Sequence, residues 1–405
     1  MRKSLLKYII PLLFALAVAL GLFWSTTDNP FVFEKNAGET AAGGDSLRGF
    51  YEKSLALSAQ NQNNSTATFL AVGDIMLSRN VASKIKTAGD PLLPFSAMTD
   101  VFSGVNFSIA NLESPFSGSD YIPPTGSLVF NAPDENIKGL KQNKFKVVSL
   151  ANNHALDQGV SGLERTLKFL DENGIRHIGA GMSLKDAWQP AIMDINGIKI
   201  CFLAASYASV NDGGKNINEY VARIEDLENL TSSLSRSKMS CDFTVISMHA
   251  GIEYTRTPNQ AQIDFAHAAI DAGADMVIGA HPHWTQTTEK YNGKYIFYSL
   301  GNFIFDQMWS QETREGLALK IAISKPASCS IPVSGLNKDA DESARYNCPN
   351  LQGPKVPATL ESIELIPIII DNYSTPRPAN EDEAKNILEK IDIPSTFLPL
   401  GRRGD

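Results

Sequence analysis

An apolar run that stops on metal-ligand side chains recurs five times along this chain, and the recurrence restricts the fold more than any other feature. Phe69–Gly73 leads into Asp74, Phe107–Ala110 into Asn111-Leu112-Glu113, and Val147–Ala151 into Asn152-Asn153-His154. Phe243–Met248 leads into His249, and Met276–Ala280 into His281-Pro282-His283. Short apolar runs bounded in this way are the pattern of buried strands. In α/β folds, side chains just past the carboxyl ends of strands converge on one crevice. Strand ends that repeatedly carry Asp, Glu, Asn and His therefore point to a site, where a lone histidine would point only to a satisfied core residue.

Helical patterns fill the gaps between these runs, over Val81–Lys86, Pro133–Gln142, Gly162–Asn173 and Asn259–Ala272. The alternation argues an α/β domain. Asn196-Gly197 between Ala191–Ile195 and Ile198–Leu203 predicts a hairpin, as does Asn292-Gly293 between Thr285–Lys290 and Tyr295–Leu300. The sheets are therefore expected to be mixed. Residues 326–357 form a polar insertion without periodicity, followed by a strand over Thr359–Ile370 and a helix over Glu381–Ile391. The folded domain is expected to span 67–397.

The first residues give an address. Arg2, Lys3 and Lys7 precede an uncharged apolar run from Tyr8 to Trp24. As a helix that run reaches ~26 Å, close to the ~30 Å of a hydrocarbon core. The basic flank keeps the N-terminus inside and puts everything after Trp24 outside the cytoplasm. A cleaved signal peptide is the alternative, with Ala19-Leu20-Gly21 as its site, but bulky Leu22-Phe23-Trp24 follows. Residues 1–24 are thus read as a membrane anchor or signal segment, and the polar stretch 25–66 as an extracytoplasmic tether. A net charge of −8 argues against nucleic acid as a partner. Of four cysteines, Cys201 and Cys241 read as small buried residues, while Cys329 and Cys348 bracket a polar stretch that a disulfide could close.

The strand-end residues make a mixed oxygen/imidazole set, which suits Mn, Fe or Zn better than Ca²⁺ or a thiolate-seeking metal. His177 and His267 lie elsewhere and read as structural or surface residues. Arg79, close after Asp74, and Arg256, in the loop after His249, are candidate contacts to substrate carboxylates or phosphates.

With these segments in hand the sequence resembles the CapA family of poly-γ-glutamate capsule synthesis proteins, within the calcineurin-like metallophosphoesterase superfamily. The matching segments are Gly73–Leu77, Asn111–Pro115, Ser149–Gly159, Ser247–Tyr254, Gly279–His283 and Tyr298–Phe305. The resemblance implies a four-layer α/β/β/α sandwich with metals at the strand ends. It implies Asp74 as a metal ligand and Glu113 in the place of the bridging aspartate. Asn153, His249 and His281 would be ligands of one ion, His283 a ligand of the other, and His154 the residue that stabilises charge or protonates a leaving group.

The departures from the pattern are specific. The superfamily's Asp-x-His reads Asp74-Ile75-Met76, and a thioether is a poor ligand for a hard divalent ion. Ala155 follows His154 where phosphatases place an acid, although Asp157 is near. One firm and one weakened metal site is the expectation, and two-metal phosphoester hydrolysis does not simply carry over. Two functions remain open. One is a metal-dependent hydrolase or transferase acting on an anionic surface polymer or its precursor, with His154 as acid and Glu253 as a candidate base. The other is a non-enzymatic, polymer-binding subunit of a membrane synthesis or export assembly.

Overall fold

The computed structural model describes residues 64–209, 214, 218–326 and 357–391. The expected anchor, nearly all of the tether, the Cys329–Cys348 bridge and most of the polar insertion lie outside the described residues. Among the described residues no helix is long and apolar enough to cross a membrane.

Two mixed sheets form the body. In one, the order is β14 (Thr375–Pro378), β13 (Thr359–Asp371), β12 (Glu315–Pro326), β1 (Asn64–Ile75), β2 (Phe107–Leu112), β3 (Phe145–Ser149) and β4 (Arg176–Ile178), with β11 (Asn302–Ile304) also on β1. Strands β1 to β4 run parallel, and β12 to β14 antiparallel. In the other, the order is β5 (Ala191–Ile195), β6 (Ile198–Ser206), β7 (Phe243–His249), β8 (Met276–Ala280), β10 (Lys294–Phe297) and β9 (Thr288–Tyr291). Its centre, β6-β7-β8-β10, is parallel, and each edge is closed by an antiparallel hairpin partner. The two Asn-Gly turns take positive φ at both residues, 53° and 79° at Asn196-Gly197 and 47° and 79° at Asn292-Gly293, the backbone that tight hairpins need.

Alternation along β6 sets the layers. Ile200, Phe202 and Ala204 enter the core shared with the first sheet, where the Phe202 ring meets Phe69 edge-on at 5.4 Å and Phe107 at 5.8 Å. Leu203 and Ala205 point the other way, into a second core with Leu230 and Leu234 of one helix and Phe265, Ala266 and Ala269 of another. The helices of ten residues or more are α1 (Arg79–Ala88), α2 (Gly159–Glu172), α3 (Leu227–Ser240) and α4 (Gln260–Asp271). α3 and α4 thus cover the outer face of the second sheet, while α1 and α2 supply Val81, Ile85, Leu163, Leu167 and Leu170 to the first core. Burial of each such large apolar side chain is worth ~1.5–3 kcal/mol. The last helix, α5 (Glu381–Glu389), starts with a capping box between Asn380 and Glu383.

One sequence expectation is corrected. Cys201 and Cys241 are buried, but not as separate small residues: they form a disulfide with Cα atoms 5.7 Å apart. The crossover through α3 returns the chain to the start of β7, beside the middle of β6, so cysteines 40 residues apart in sequence become neighbours. α3, β4 and β12 were not among the expected elements.

Candidate metal centre

The carboxyl ends of β1, β2 and β3 in one sheet and of β7 and β8 in the other meet on one side. Asp74 pairs in register with Asn111 of β2. The chain passes there only because residue 73 is glycine: a Cβ would lie 1.8 Å from the carbonyl oxygen of Gly301. The Asp74 N–H donates to that same carbonyl at 3.1 Å.

The structure brings Asp74, Glu113, Asn153, His154, His249, His281 and His283 together, all of them buried. Ligand atoms of Asp74, Glu113 and His249 lie within 4.8 Å of one another. His249 Nε2 meets Asn153 Oδ1 at 2.8 Å, and the His249 and His281 rings are 4.7 Å apart. The His281-Pro282-His283 segment is not extended. Both histidines have left-handed backbone, φ 98° and 58°, a conformation that costs ~1–3 kcal/mol per residue and gathers at functional sites. Asn302, which the sequence reading left out, orients His283. Its amide nitrogen donates to Thr313 O at 2.9 Å, so its oxygen accepts from His283 Nδ1 at 2.9 Å.

His154 is held on two sides. Its Nδ1 lies 2.7 Å from Asp157 Oδ2, and its ring stacks on Phe130 with centroids 3.9 Å apart. Its Nε2 faces Glu113 Oε1 at 3.7 Å. Burial, then the neighbouring His283, pushes the His281 imidazole down to about 3. Burial, then His281, holds His249 well below the usual histidine range. Burial, then the Asp74 carboxylate, raises Glu113 well above the usual carboxylate range. Both imidazoles are therefore neutral at pH 7, the form in which histidine binds a metal.

The donor set fits a divalent ion. Glu113 Oε1 and His281 Nδ1 are buried without any hydrogen-bond partner, an omission that ordinarily costs ~1–3 kcal/mol per group. With Asn153 and His249 they make an oxygen/imidazole set suited to Mn, Fe or Zn.

The remaining expected residues lie around this set. Arg79 is buried and ion-paired with Asp306; it donates to Ser127 O at 2.9 Å and lies 4.7 Å over the Phe130 ring. Arg256 reaches Glu315 at 3.3 Å, where Lys390 also binds at 2.7 Å. Both arginines thus already hold internal carboxylates. Glu253 is exposed, and the ring of its neighbour Tyr254 sits 6.0 Å from His283 and edge-on to the exposed Trp309 at 4.6 Å. His177 pairs with Asp171 and His267 with Glu289, away from the centre.

Residues 68–307 match the profile described as bacterial capsule synthesis protein PGA_cap. The chain belongs to that family. Among the family's curated members, the PGA biosynthesis protein CapA of Bacillus subtilis is 34% identical over 256 residues, covering 63% of this chain and 67% of that protein. The capsule biosynthesis protein CapA of Bacillus anthracis is 29% identical over 289 residues, covering 69% of each. The solved structure of a putative 5′-nucleotidase from Staphylococcus aureus aligns with TM-score 0.45 and 15% identity over 80% of this chain and 58% of that one. That of Haemophilus influenzae NAD nucleotidase aligns with TM-score 0.42 and 11% identity over 81% and 56%. These two likenesses are too distant to speak for substrate or reaction in the PGA_cap family.

Proposed function

We propose that this protein is a membrane-anchored, extracytoplasmic, metal-dependent hydrolase or transferase that acts on an anionic amide-linked polymer of the poly-γ-glutamate type during capsule synthesis. The observation that carries the reading is the placement of two partnerless buried polar atoms, Glu113 Oε1 and His281 Nδ1, beside an imidazole oriented by a carboxylate, His154–Asp157. Glu113, Asn153, His249 and His281 would hold a divalent ion, which when bound would supply Lewis-acid polarisation of a scissile carbonyl. His154 keeps Nδ1 on Asp157, which leaves Nε2 to take a proton from the water or acceptor amine that attacks the carbonyl and to return it to the departing amine as the C–N bond breaks. Tyr254 and the exposed Trp309 form an aromatic rim along which an extended chain can lie.

The polymer class is supported by the capsule and PGA biosynthesis roles in the relatives' names. The extracytoplasmic address is supported by the basic-then-apolar N-terminal sequence and by the Cys201–Cys241 bridge, since disulfides persist in oxidising compartments. Membrane synthesis or export subunits are the partners such an anchored domain would meet.

The test is turnover of γ-linked glutamate oligomers by the full-length protein with Mn²⁺, read as released or transferred amine. Wild-type turnover that disappears in His154→Ala, with metal content unchanged, supports the reading. Wild-type capsule levels in a strain carrying His154→Ala would sink it and leave a non-enzymatic assembly subunit.

A further inference from the structure

We propose that this centre takes a single divalent ion, because the side-chain amide of Asn111 fills the place beside Asp74 where a second ion would sit. The inference rests on the metal-centre reading above and fixes its stoichiometry.

Asn111 Nδ2 lies 2.8 Å from Asp74 Oδ1, 3.3 Å from Glu113 Oε2 and 3.2 Å from His249 Nδ1. Three ligand-type atoms thus surround a nitrogen that can donate hydrogen bonds but cannot bind a cation. The orientation of this amide follows from two backbone groups whose roles are fixed by chemistry. The N–H of His154 donates to Asn152 Oδ1 at 3.0 Å, and the carbonyl of Leu112 accepts from Asn152 Nδ2 at 2.9 Å. Asn152 Nδ2 then also donates to Asn111 Oδ1 at 3.0 Å, so the nitrogen of Asn111 is the end that faces the carboxylates.

The rest of the cluster divides along the same line. Asp74 is satisfied by protein donors at both oxygens: Asn111 at Oδ1, and the N–H of His281 at Oδ2, 3.2 Å away. Met76, two residues on from Asp74, turns its sulfur toward the N–H of Ser78 at 3.1 Å. His283 spends Nδ1 on Asn302. Glu113 Oε1 and His281 Nδ1 are left without partners, while Asn153 Oδ1 and His249 Nε2 meet each other at 2.8 Å. Hydrogen-bond demand on the Asp74 side is met, whereas at Glu113 Oε1 and His281 Nδ1 it is open.

The consequence concerns substrate class. Displacement at phosphorus between two ions ~3.5–4 Å apart is closed to a one-ion centre. Carbonyl polarisation by one ion, with His154 serving the leaving group, remains open, which favours amide or ester bonds over phosphodiesters.

The experiment loads the full-length protein in detergent with excess Mn²⁺, removes the unbound metal, and measures Mn per chain together with the electron paramagnetic resonance spectrum. One Mn per chain with an uncoupled six-line spectrum is expected for the wild type. Asn111→Asp, which exchanges a donor for a second carboxylate, is expected to bring the count to two with an exchange-coupled spectrum. Two ions or coupling in the wild type overturns the proposal. So does one ion in an Asn111→Asp protein that melts like wild type. Should that variant fail to fold, the wild-type spectrum decides by itself. Binding of no ion overturns both this inference and the reading it rests on, whereas two ions overturn the inference alone.

Discussion

One carboxylate oxygen of Asp157 lies 2.7 Å from His154 Nδ1 and accepts the N–H of Phe130 at 2.6 Å. The turn that follows Asn152 brings it there, with the Asp157 N–H on the His154 carbonyl at 3.2 Å. Asp157 therefore orients the His154 ring from three positions downstream. Asp157→Ala is expected to lower turnover about 10²-fold while leaving bound metal at the wild-type level, because Asp157 orients the imidazole and touches none of Glu113, Asn153, His249 and His281. Steady-state kinetics beside elemental analysis reads both; loss of metal in parallel with activity would make Asp157 a structural support of the centre.

Metal binding should appear as stability. An ion bound only by the folded state adds about 2.7 kcal/mol at a hundred times its Kd. Mn²⁺ at saturation is expected to raise the melting temperature of the EDTA-stripped protein, and His281→Ala should melt at one temperature with or without Mn²⁺. A Mn²⁺-dependent shift that survives in His281→Ala would place the ion elsewhere.

The meeting of Asp74, Glu113, Asn153, His154 and the strand-end histidines was legible because each closes an apolar run, and parallel strands of a doubly covered sheet end on one side. Helix α4 was legible for a similar reason, from Phe265, Ala269 and Ile270 on one face with Gly273 after it. The amides were not legible. Asn111 and Asn302 look like any strand-end asparagine until their partners are placed, since an amide acts through whichever end its neighbours select. α3 was hidden by its composition: serines compete for backbone hydrogen bonds and lower helix propensity, yet Leu230 and Leu234 packed on the second sheet, with Asp226 as cap, prevail over them. The Cys201–Cys241 bridge depends on the crossover path of the chain, which no local pattern contains.

That bridge should matter to stability. It closes a loop of 40 residues between the middle of β6 and the start of β7, and removing such a cross-link frees unfolded-state entropy worth about 2–4 kcal/mol. The Cys201→Ser, Cys241→Ser double variant is expected to lose stability of that order in urea unfolding, and wild type under reductant should follow it. A midpoint unchanged in both would show that the two strands hold together without the bond.

The pH dependence of the metal-free protein follows from the same buried groups. His281, held at about 3, and His249, held well below 6.5, stay neutral in the fold while the unfolded chain protonates both near 6.5. Below 6.5 the unfolded state therefore binds more protons at these two positions, and their contribution to stability falls as pH falls. Glu113 has the opposite sign. Its raised folded value lets the native state keep a proton above 4.5 that the unfolded chain has released, so it favours the fold toward acid. Between pH 5 and 6 the two imidazoles favour stability that rises with pH, and the single carboxyl opposes it. Urea unfolding of the EDTA-treated protein should show stability rising with pH across that interval. In Glu113→Gln the opposing proton is gone and the rise should steepen. A metal-free stability that is flat between pH 5 and 6 in both proteins would mean that His249 and His281 carry protons in the fold, and neither could then offer a metal its lone pair at that pH.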